Sequence, residues 1–160
     1  MDLDAILGCI LLEQEALDEL SFKLEEQRLI LLAGQHRYLG RATTEIDDVA
    51  ANLAALGRQR AATLADAAGA LGIDPSATLR DIAEALPTPE AQARVSTARD
   101  AMRATVAQIN RTVEENRRLL AGGLAATIDA LAMLGTAPSY DASGTGSQGG
   151  ERSVLLDARA

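Results

Sequence analysis

Few residues in this chain have types and spacings suited to chemistry. A dinuclear metal centre in a helical protein needs Glu-x-x-His pairs on facing helices. The sole histidine is His36, and Ala33 stands three residues before it. Cys9 is the sole cysteine, so no intrachain disulfide can form and a reducing compartment is the simple reading. It lies in the apolar phase of the first helix, which suits a buried structural thiol better than a reactive one. The sequence has no Cys pair, His pair, Gly-rich phosphate loop or nucleophile elbow. Gly122-Gly123 follows no strand and falls within a helical pattern. Glu13, Glu15, Glu25 and Glu26 fit a solvated helix face, and His36 a surface position beside a bend. Acid–base or nucleophilic catalysis needs positioned groups in a pocket. The expectation is therefore a non-enzyme with no metal and no cofactor.

Composition narrows the class. The 160 residues suit one domain. Alanine and leucine dominate, and the only aromatics are Phe22, Tyr38 and Tyr140. No run of β-branched and aromatic residues reads as a strand, so the fold class is all-α and extended. A net charge of −8 disfavours nucleic acid and anionic membrane surfaces, both of which need a basic face. The first residues are acidic and the apolar run Ile6 to Leu12 is short, so neither a signal peptide nor membrane insertion is expected, and the chain should be cytoplasmic.

The positioning elements follow from periodicity. From Ala91 to Leu134 the apolar residues are Val95, Ala98, Met102, Val106, Ile109, Val113, Leu120, Leu124, Ile128, Leu131 and Leu134. Their steps of three, four and seven describe one amphipathic helix, with Asn116 and Arg117 in the one long gap. Several pairs repeat at eleven, which predicts a nearly straight helix drifting slightly right-handed. Such a stripe needs a partner helix from this chain, a second copy or a client. Asn116, in the apolar phase, reads either as a polar residue that sets register in a helix seam or as a client contact.

The first helix carries Leu3, Ile10, Leu17, Leu24 and Leu31 every seven residues, the pattern of a coiled-coil seam. Its second column, Gln14, Ser21 and Arg28, is polar, which predicts an imperfect hairpin. Gly34 can be a C-cap, a kink or a tolerated residue; a kink or short break is favoured, with helix resuming near Arg41. Ile46, Val49, Leu53, Leu56 and Leu64 continue to about Ala70, with Gly72 past the end. Asp74-Pro75-Ser76 opens a short element buried through Leu79, Ile82, Ala83 and Leu86, and Thr88-Pro89 starts the last helix. The first helix, to Gln35, carries eight acids against Lys23 and Arg28, whereas the last carries six arginines. That imbalance favours pairing of these two helices. From Thr136 onward Ser, Gly and Pro dominate, and a flexible tail is expected, with Tyr140 and Val154-Leu155-Leu156 as islands within it.

The predicted architecture is an elongated antiparallel helical hairpin or bundle with a short linking helix and a disordered C-terminal tail. Its helical domain covers 1–135, with helices at about 2–34, 41–70, 76–86 and 89–134, and its tail covers 136–160.

Four stretches together resemble the FlgN-type flagellar export chaperones. They are Leu11-Leu12-Glu13-Gln14-Glu15 through Leu31-Leu32-Ala33-Gly34 with Thr43-Thr44-Glu45 and Arg58-Gln59-Arg60; Leu79-Arg80-Asp81-Ile82 to Leu86-Pro87; Ile109-Asn110 to Asn116-Arg117-Arg118-Leu119-Leu120; and Ser139-Tyr140-Asp141-Ala142-Ser143-Gly144. The last is similar to the family's Tyr-Asp-x-x-Gly tail and departs from it at Ser143, where many relatives carry a basic residue. The resemblance implies a cytoplasmic chaperone of flagellum biogenesis. Its partners would be the hook-associated (hook–filament junction) proteins, bound through their terminal amphipathic helices, and the export gate. A client helix laid in a groove between helices would contact Ile109, Val113, Asn116, Leu120, Leu124, Ile128 and Leu131. The resemblance also makes Tyr140 the export-gate docking residue, and a homodimer is possible without client. Two other classes stay open: a structural coiled-coil adaptor or oligomer without an export role, and an enzyme with an unrecognised site in the bundle.

Overall fold

A computed structural model describes residues 2–135 of the chain. The expected tail, with Tyr140 and Val154-Leu155-Leu156, lies outside the described residues. In order, the elements are α1 (Leu3–Leu32), a single 3-10 turn (His36–Tyr38), α2 (Leu39–Leu71), α3 (Leu79–Ala85) and α4 (Pro89–Gly135). The fold is all-α, and no strand occurs among the described residues. The chain divides into two units, Met1–Leu119 and Leu120–Ala160.

Each helix boundary has a local cause. Asp2 caps α1, its carboxylate accepting from the amides of Asp4 and Ala5. At the other end Gly34 adopts a left-handed φ of 64°. The amide of Gln35 donates to the carbonyl of Ile30, and that of Gly34 to the carbonyl of Leu31. This is a Schellman cap, so Gly34 ends the helix rather than kinking it. Helix resumes at Leu39 after the single turn, two residues before the expected Arg41. Gly72, with φ of 69°, closes α2 in the same way through Ile73 to Ala68 and Gly72 to Gly69.

α3 starts three residues later than Asp74-Pro75-Ser76 predicts. Asp74 is taken up in a local turn, where its carboxylate accepts from both the amide and the hydroxyl of Ser76. The cap is Thr78, whose hydroxyl accepts from the amide of Asp81 while the Asp81 carboxylate accepts from the amide of Thr78. Thr78-x-x-Asp81 is the sequence signature of this reciprocal box.

Cross-helix contacts set direction. Between α1 and α2, Lys23 meets Glu45 and Glu13 meets Arg60, so the two form an antiparallel hairpin. Between α1 and α4 the early residues meet early ones and the late meet late: Gln14 contacts Thr105, whereas Leu24 and Arg28 contact Asn116 and Glu115. α4 therefore lies parallel to α1, and α3 supplies the return connection. The core joins Ile6, Ile10, Leu17 and Leu24 of α1 to Leu64 and Ala68 of α2. Ile82 and Leu86 extend it around α3, and Val95, Met102 and Ile109 complete it from α4.

Candidate functional site

The buried column of α4 is Val95, Met102, Ile109 and Asn116, a seven-residue series rather than the eleven-residue one that stands out in the sequence. Seven is the spacing that keeps a helix against a partner over several turns, and here that partner is α1. The next residue in this column is Gly123, which has no side chain to bury.

The polar column of α1 faces this seam. Gln14 Nε2 donates to Thr105 Oγ1 at 2.8 Å, and Arg28 pairs with Glu115 at 3.4 Å. Between them Asn116, 2% exposed, donates from Nδ2 to the Leu24 carbonyl at 2.9 Å and to Gln27 Oε1 at 3.0 Å. Gln27 Nε2 in turn reaches Thr43 Oγ1 of α2 at 3.4 Å. One polar chain thus runs from α4 across α1 to α2, buried at Asn116 and Gln27 and reaching the surface at Thr43. The charge imbalance between first and last helices does not produce it. The one ion pair between them among the described residues, Arg28–Glu115, has the opposite polarity, and Arg99 and Arg117 pair within α4, with Asp100 and Glu114.

The seven residues expected to contact a client fall into two groups. Ile109 and Asn116 are buried, and Val113 packs half-buried against the same core. α1 of the same chain occupies these three, so a client could reach them only if α1 gave way. The other four are open to solvent. In the second unit Leu120, Leu124, Ile128 and Leu131 stand at steps of four, four and three along helix, and the last three are 64%, 56% and 63% exposed. Fully burying an aliphatic side chain is worth about 1.5–3 kcal/mol, whereas a typical hydrogen bond nets about 0.5–1.5 kcal/mol. A partner that covers this row is therefore held mainly by apolar contact.

Nothing in the described residues is arranged for metal chemistry: no group of three or more His, Cys, Asp or Glu side chains converges on a metal-sized site. Cys9 is buried, its thiol donating to the Ile6 carbonyl at 3.0 Å, and burial pushes its pKa up. Glu13 is buried beside it, but both its oxygens accept from the Arg60 guanidinium, a structural ion pair between α1 and α2. No described helix is long and apolar enough to cross a membrane.

A family model described as FlgN protein matches residues 1–151, nearly the whole chain. No curated protein and no solved structure matches.

Proposed function

The chain belongs to the FlgN family, which carries a role of the flagellar export chaperone type, and from that premise we propose how it works. Its clients are hook-associated proteins of the hook–filament junction. It binds their terminal amphipathic helices in the cytoplasm, keeps them unassembled and delivers them to the export gate, without catalysis. The observation that supports this reading is the exposed row Leu120, Leu124, Ile128 and Leu131. It has the spacing with which one helix receives the apolar face of another. Ile109, Val113 and Asn116 join the client surface only in a state where α1 has moved aside. Tyr140 is the residue proposed to dock at the gate. A tyrosine offers a large contact area with few rotatable bonds and one hydroxyl, which suits transient docking.

The test is calorimetric titration of the full chain with C-terminal peptides of the junction proteins, with circular dichroism on the same samples. Binding accompanied by a gain of helix and a negative heat-capacity change is the expected result. Changing Leu120, Leu124 and Ile128 together to alanine should abolish it while the fold survives. Intact binding in that variant overturns the assignment. Tyr140→Ala should spare peptide binding and weaken binding to the gate. A peptide-blind protein that forms a stable dimer through the same row would instead be a coiled-coil adaptor.

A further inference from the structure

A second surface, in the first unit, has a different character. A groove of about 530 Å³ opens between α1, α2, α3 and α4. Its lining includes the apolar side chains of Leu17, Leu79, Met102 and Val106. Its rim carries Arg60, Arg80, Arg99 and Arg103 against a single carboxylate, Glu13. Arg60 already neutralises that carboxylate. Arg80 and Arg99 hold only exposed acids of their own helices, Glu84 and Asp100. Arg103 has no ion-pair partner among the described residues and is exposed. A cationic rim on a chain of net charge −8 is a local reversal of sign. Of the six α4 arginines that composition assigns to the acids of α1, two, Arg99 and Arg103, line this opening instead.

We propose that this groove is a docking site for an acidic amphipathic peptide segment of a partner protein. Apolar side chains of the segment seat on Met102 and Val106, and its Asp or Glu side chains pair with Arg80, Arg99 and Arg103. Arginine suits the role because its planar fork pairs carboxylates in two-point geometry and it is weakly hydrated. A nucleic-acid strand fits poorly. No aromatic side chain lines the groove for bases to stack on, and the acidic remainder of the chain repels a long polyanion. The groove is lined by residues of the first unit only, none of which belongs to the row Leu120 to Leu131, and it does not depend on that row's function.

The probe is a fluorescein-labelled synthetic helix of leucine and glutamate, about 15 residues long, compared with versions carrying glutamine or lysine for glutamate. Anisotropy against the full chain should show the glutamate peptide binding at least about tenfold more tightly than the glutamine peptide, with affinity falling as salt rises. Arg80→Glu with Arg103→Glu should weaken it by about tenfold or more, while Leu124→Ala with Ile128→Ala leaves it unchanged. Methyl-labelled methionine provides a second readout. The peptide should shift the resonance of Met102 in the groove and not that of Met133 in the second unit. Equal affinity for the glutamate and lysine peptides, a wild-type affinity in the arginine variant, or a shift confined to Met133 would each overturn the proposal. So would a signal explained by self-association of the chain or abolished by anionic lipid vesicles.

Discussion

Asn116 of α4 donates its side-chain amide to the backbone carbonyl of Leu24 in α1, at 2.9 Å. The same amide reaches Gln27, while its own carbonyl oxygen is buried without a partner. A polar residue in this seam is therefore not placed for greatest stability. Its two directional bonds define one register between parallel helices, where apolar contacts alone would tolerate a slip of a turn. Asn116→Ala should lower stability by about 1–2 kcal/mol, because the Gln27 oxygen loses its donor and stays buried. Urea denaturation of this variant, of Gln27→Ala and of the double variant should show non-additivity above about 0.5 kcal/mol. Strict additivity would mean that the two side chains do not act together.

Two glycines should respond to alanine with opposite sign. A Cβ at Gly34 would meet no atom within 4 Å, yet its φ of 64° is left-handed. Gly34→Ala should therefore destabilise by about 1–2 kcal/mol from backbone conformation alone. Gly8 lies inside α1 with equally open surroundings and no such φ. Gly8→Ala should stabilise by about 0.5–1 kcal/mol. Thermal melts of the two variants are the check.

Acid should weaken the α1–α2 hairpin through Glu45. Lys23 first, and Arg41 second, hold its carboxyl below the ordinary value of 4.5 by hydrogen bonding. A carboxylate depressed on folding contributes stability that is complete above the ordinary value and lost as pH falls through the folded one. Thr78 and Ser76 act in the same direction on Asp81 and Asp74. Stability should therefore decline on going from about pH 6 to about pH 3. Glu45→Gln should be less stable at neutral pH and decline less steeply. An unchanged slope in that variant would remove Glu45 from the account.

Cys9 should be a poor nucleophile while the chain is folded. Its thiol is buried and its pKa is raised chiefly by that burial, with Glu13 adding to the rise and Arg60 opposing it. Alkylation at neutral pH should follow the opening of the hairpin, being slow in buffer and fast in denaturant. Equally rapid labelling in both conditions would place the thiol at the surface.

Much of the fold was legible because it rests on local pattern. The column Ile10, Leu17 and Leu24 reads as a seam and is buried. Gly72 follows the apolar phase and closes α2. The reciprocal cap Thr78-x-x-Asp81 was equally readable, but Asp74-Pro75-Ser76 competes with it as a start signal. Only the folded chain shows that Asp74 spends its carboxylate on Ser76. Gly34 admitted three conformations on sequence alone, since glycine reaches all of them at little steric cost.

Sequence by itself determined that the chain is helical and where its apolar faces lie, because these follow from residues near one another along the chain, and which family it joins, because that follows from the order of four stretches along it. Tertiary structure decided which face meets which. The long stripe of α4 carries one period in sequence, yet α1 covers its Ile109 to Asn116 portion and Leu124 to Leu131 stay in water. The arginines of α4 were as close in composition to the acids of α1 as to any others, yet Arg99 and Arg103 line a groove instead. Period and composition state what a helix must bury or pair. They do not encode the register at which a partner arrives, and that register here rests on the parallel packing of α1 and α4 around Asn116.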